Sequence, residues 1–119
     1  MTDTIFAAAW AEALSGAYAD RDAYVSGWAL SSIWGDAEDA EIPQERIAAL
    51  GSIWDTAHLN IKDIRKASGL SRTAFAEHLC IPYRTVQAWE LGDRSCPDYL
   101  RLLLAEHFGL IHERRTENE

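Results

Sequence analysis

The sequence predicts an all-α protein, and two observations carry that expectation. Apolar residues recur at helical spacing from one end to the other, while no stretch shows sustained period-two alternation. The composition, 119 residues with 48% hydrophobic and 25% charged, suits a folded chain of one domain or two very small ones packed together. Five Trp give such a chain large apolar areas to bury. The longest apolar runs span only a few residues, far short of the roughly 20 needed to cross a bilayer. No basic n-region precedes the first of them, so no secretory signal is expected. Two cysteines, Cys80 and Cys96, are too few for a disulfide scaffold and read as reduced thiols in a cytoplasmic protein.

The first helix is marked by Ile5, Phe6, Ala9, Trp10, Ala13, Leu14, Ala17 and Tyr18, adjacent pairs repeating every four residues along one face. A second is expected from Asp22 to Ile33, with Tyr24, Val25, Trp28 and Ile33 inward and Gly27 as a weak point. The run from Gly35 to Glu41 reads as a solvated acidic linker. It has no central Gly of the kind a calcium loop requires. Pro43 suits the first turn of a third helix, in which Ile47, Leu50, Trp54 and Ala57 fall at helical spacing and Gly51 is a local weakness.

Asn60 followed by Asp63 has the form of an N-cap with an acidic N3 residue. Ile61, Ile64 and Ala67 would form the inner face of a short helix closed by Gly69. Ser71 caps the next helix, through Leu79, with Phe75, Ala76 and Leu79 inward. Only Cys80 and Ile81 separate it from Pro82, which opens another helix ending at Leu91 and Gly92. Two short helices joined so tightly must cross steeply, as a helix-turn-helix does, and Ala76 is small enough to allow a close crossing. Cys80 reads as a small apolar residue in the core at that junction. After a turn through Asp93 and Pro97, a last helix carries Tyr99, Leu100, Leu103, Leu104 and Phe108 on its apolar side until Gly109. Leu110 and Ile111 are expected to fold back on the core, and the polar tail 112–119 to fray.

Charge divides the chain. Residues 1–57 hold two bases (Arg21 and Arg46) and ten acids, a net of −8, which is the formal charge of the whole protein. Residues 58–119 hold nine of each, and within them 61–101 hold seven bases and five acids. The acidic total therefore says little about a phosphate-binding face in the second half. The expected organisation is an acidic helical N-terminal extension (1–57), a helix-turn-helix domain (58–111) and a tail (112–119).

The second half resembles the Cro/lambda-repressor (XRE) helix-turn-helix family. The matching residues are Ile64, Arg65, Gly69, Leu70 and Ser71, then Phe75, Ala76, Leu79 and Ile81. They continue through Thr85, Val86, Trp89, Glu90, Leu91 and Gly92 to Pro97 and the closing Phe108, Gly109 and Leu110. The resemblance covers roughly fifty positions and leaves 1–57 unaddressed. It implies a lambda-repressor-like bundle behind a Trp-rich helical extension, and a regulator that lays its second motif helix (82–91) in the major groove of double-stranded DNA. By position, Tyr83, Arg84, Gln87 and Ala88 become the base-contacting side chains; Arg84 suits guanine and Gln87 adenine. Arg72 and Arg94 become phosphate contacts, Arg72 beside a helix N-terminus. Arg65 and Glu90 become a structural ion pair holding the recognition helix.

The sequence also departs from the family. Pro82 stands where relatives often have a Ser or Thr N-cap, Asp93 and Asp98 flank a turn that is often basic, and no fifth helix follows Leu110. If the chain forms a homodimer, the Trp-rich N-terminal helices are the expected surface. Two other readings compete. One is an antitoxin or phage-control protein whose acidic half binds a basic partner protein; the other is a fold kept only for protein interaction. No Gly-rich phosphate loop, nucleophile elbow or zincin motif occurs, so neither an enzyme nor a cofactor is expected. Cys80, Cys96, His107 and His112 lack the close cysteine spacing of a structural zinc site, so no metal is assigned.

Overall fold

A computed structural model describes residues 1–114; the tail expected to fray lies in part (115–119) outside the described residues. The described residues form α-helices, one 3-10 turn and connecting loops. No helix among them is long and apolar enough to cross a membrane. The chain divides into two compact units, one made of residues 1–58 and 111–114, the other of 59–110. Ile111, which the sequence pattern attaches to the helix-turn-helix segment, is grouped with the first unit and is buried.

The first unit contains α1 (Asp3–Leu14), α2 (Arg21–Ala29), a 3-10 turn (Ser32–Trp34) and α3 (Gln44–Ala57). Thr2 and Asp20 cap α1 and α2, accepting hydrogen bonds from the amides of Ile5 and Ala23. Phe6, Ala9, Trp10 and Ala13 form the buried stripe of α1. The helix stops short of Ala17 and Tyr18, because Ser15 Oγ donates to the Glu12 carbonyl and Gly16 takes a φ of 79°. Tyr18 instead meets Tyr24 edge-on, and the buried Tyr24 hydroxyl donates to the Ala9 carbonyl at 2.6 Å. That hydrogen bond ties α2 to α1 through the core.

Helix α2 is also shorter than its apolar pattern suggests. It ends at Ala29, so Ile33 falls in the 3-10 turn and is exposed rather than inward. Trp34 takes the inner place: its indole N–H donates to the Trp28 carbonyl, and the Arg46 guanidinium lies 4.3 Å from its ring centre. Arg46 also holds Asp36 through two hydrogen bonds, of 2.6 and 3.0 Å, which pins the start of the acidic linker. Gly51, a weak point by propensity, lies beneath the side chain of Arg21. A Cβ there would run into the guanidinium of Arg21, which crosses α3 to pair with Asp55.

The second unit contains α4 (Ile61–Ser68), α5 (Arg72–Leu79), α6 (Tyr83–Leu91) and α7 (Asp98–His107). Asn60 and Asp63 form a reciprocal capping box on α4, and Ser71 caps α5. The core holds Ile61, Ile64, Phe75, Ala76, Val86 and Leu104, with Leu70, Leu79, Trp89 and Phe108 against it. Ala67 is exposed instead of inward. Steps of three residues drift about 60° around a helix, so the line from Ile61 through Ile64 is better continued by half-buried Ser68. For the same reason Leu100, Leu104 and Phe108 pack inward while Tyr99 and Leu103, about 100° away, face outward at 69% and 51% exposure.

Cys80 corrects another expectation. It is not a core residue: it ends α5 in the left-handed conformation (φ 56°) with its side chain exposed. It is the one non-glycine residue with positive φ among the described residues. That conformation costs an L-residue roughly 1–2 kcal/mol. Part of the gain from removing it is offset by glycine's greater unfolded freedom. Cys80→Gly is therefore expected to raise stability by about 0.5–1 kcal/mol, measured by urea denaturation of the two proteins side by side. The other thiol, Cys96, is half-buried, and burial pushes it up to about 11.

Candidate nucleic-acid interface

Helix α6 separates its residues by angle. At about 100° per residue, Tyr83, Arg84, Gln87 and Ala88 share one arc, while Val86 and Trp89 lie on the other side. Val86 is fully buried and Trp89 packs on the core. Tyr83 and Arg84 are exposed, and Gln87 and Ala88 are half-buried. The side chains expected to contact bases therefore lie together on the face turned away from the core of this unit. Pro82 precedes the helix as its N-cap and supplies no side-chain hydrogen bond, so no side chain caps the first amides of α6.

Behind that face lies a charge cluster. The Glu90 side chain is 1% exposed and accepts from two arginines on two other helices. Arg65 of α4 donates through Nε to Oε2 at 2.5 Å and through Nη2 to Oε1 at 3.1 Å, and its Nη1 reaches the Leu70 carbonyl. Arg72 of α5 donates through Nε to Oε1 at 3.3 Å and sits 3.5 Å from the Tyr83 hydroxyl. One carboxylate thus links α4, α5 and α6, and sets the rotation of α6 relative to the other two. The expected pair Arg65 and Glu90 is together in space. Arg72, expected only at phosphate, is also held by this cluster. Arg94 lies beyond α6 in the exposed turn, its amide bonded to the Ala88 carbonyl.

Burial pushes the Glu90 carboxyl up, but hydrogen bonds and charge from Arg65, then from Arg72, outweigh it and hold the group below its ordinary value of 4.5. A carboxylate depressed in the folded state adds stability above the unfolded value and loses it as pH falls through the folded one. The unit is accordingly expected to lose stability below about pH 4.5, while Glu90→Gln, less stable at neutral pH, loses less on acidification. Urea midpoints measured from pH 3 to 7 check this; parallel pH profiles for the two proteins would contradict it.

Arg101 is the residue whose role the sequence pattern left unstated. It donates to the Leu59 carbonyl and, at 2.7 Å, to Asp98, so α7 is tied to the segment leading into α4. The i,i+3 spacing of Asp98 and Arg101 was the available signal. The pairing also means that Asp98 is not an uncompensated negative charge beside the turn.

Residues 61–109 match the family model described as Helix-turn-helix. This segment is therefore similar to helix-turn-helix domains of the Cro/lambda-repressor (XRE) type, a kind carried by DNA-binding regulators. No curated protein and no solved structure matches the chain.

Proposed function

We propose that the protein is a cytoplasmic, non-enzymatic transcriptional regulator that binds double-stranded DNA sequence-specifically through α6. The arc of Tyr83, Arg84, Gln87 and Ala88 opposite buried Val86 carries this reading. Arg84 donates to guanine O6 and N7, Gln87 pairs with adenine, and Tyr83 and Ala88 make apolar contact with thymine methyls. The uncapped amides at the start of α6 favour a backbone phosphate beside the groove. Arg72 has donors beyond those given to Glu90 and Tyr83, and with Arg94 it holds the flanking phosphates. A homodimer would read half-sites spaced by about 34–36 Å.

Selection from a random duplex library at low salt, with oligomeric state measured alongside, tests this reading. One enriched motif is expected, and recovery of none would move the assignment to a protein-interaction module. On the selected site, Arg94→Ala should weaken binding nearly equally across sequences and reduce the slope of log K against log salt by about 1. An unchanged slope would remove Arg94 from the phosphate contacts.

The acidic first unit favours a second role beside DNA binding. Its two bases and ten acids within 1–57 suit a basic partner protein, as in an antitoxin or phage-control protein. Co-purification of a basic protein with the untagged chain would support that role.

A further inference from the structure

We propose that His78 and His107 form a chelating pair for a divalent transition-metal ion of the copper(II) or nickel(II) type, bridging the end of α5 to the end of α7. Their Nε2 atoms lie 2.8 Å apart, and both side chains are exposed to the solvent from which an ion would arrive. His78 lies in the last turn of α5, and His107 is the final residue of α7. Each ring therefore sits at the negative end of a helix dipole, where positive charge is favoured.

Both rings are also held near one another by a shared aromatic neighbour. Phe108 packs against both, with centroid distances of 5.7 Å to His78 and 4.9 Å to His107, and itself stacks on buried Phe75 at 5.5 Å. The pair is thus anchored to the core of its unit through one aromatic side chain.

Ligand type selects the metal class: two imidazole nitrogens suit copper(II), nickel(II) and zinc, and copper(II) stands at the top of the divalent affinity order. Among the described residues no group of three or more His, Cys, Asp or Glu is arranged to hold a metal, so water fills the remaining positions. In the present hydrogen bond one ring donates its Nε2 proton to the other. On binding, that ring takes the Nδ1–H tautomer and both exposed rings turn so that their Nε2 lone pairs converge on the ion.

Titration of the full chain with copper(II), and separately nickel(II), in a non-coordinating buffer tests the site by calorimetry and thermal melting. The wild type should take up one ion per chain saturably and melt at a higher temperature when loaded. His78→Gln and His107→Gln should each abolish that uptake and the melting shift while melting like the metal-free wild type. His58→Gln should retain both, because the His58 ring packs on Trp54 in the other unit. Uptake that survives both substitutions would place the ion elsewhere, and the absence of saturable uptake in the wild type would refute the site.

Discussion

Glu90→Ala should destabilise the 59–110 unit by about 3 kcal/mol, the lower part of the range for removing one partner of a buried ion pair. The carboxylate is 1% exposed and answers two guanidiniums. Its loss leaves Arg65 and Arg72 at a site built for a negative charge. Both arginines keep partial access to water, with side-chain exposures of 15% and 29%, and this holds the penalty below the upper end. At roughly 4–8 °C per kcal/mol for a domain of this size, the melting temperature of the unit should fall by more than about 10 °C. Arg65→Ala should cost less, because Arg72 still faces the carboxylate. Amide exchange at Ile64 and Val86 reads the effect within this unit, and unchanged protection there would show that the cluster contributes nothing to its stability.

Arg84→Ala should weaken binding to the selected DNA site by about 1–3 kcal/mol and relax the preference at one base position, with little change in melting temperature. Arg84 is exposed at the second position of α6, so its truncation leaves no cavity. The two substitutions therefore separate the roles on one helix. Loss of Glu90 destabilises the platform, whereas loss of Arg84 removes a reading head from an intact one. Equal affinity of Arg84→Ala and wild type for that site would take Arg84 out of the base-contacting set.

Much of the second unit is legible in its residues because the signals are local. Asn60 with Asp63, Ser71, Gly69 and Gly92 mark helix ends through bonds that span only a few residues. The outward arc of α6 was indicated by the family resemblance, and the burial of Val86 agrees with it, since one buried position sets the angle of every other residue on a helix. Helix ends without a strong stop were harder. The apolar pattern runs on past Leu14 and Ala29, and the chain leaves the helix through local hydrogen bonds and a left-handed glycine.

By itself the sequence determined that the chain is helical, where the main helices lie and that its acidic charge is confined to residues 1–57; the face of α6 came from the family resemblance. Tertiary structure decided the partners. Glu90 gathers Arg72 as well as Arg65, Arg21 lies across Gly51, Cys80 points to solvent, and His78 meets His107. Helical periodicity is written within a few residues of each position. Which side chains meet across eighteen, thirty or more residues depends on how the helices cross, and a rotation of about 100° exchanges one neighbour for the next.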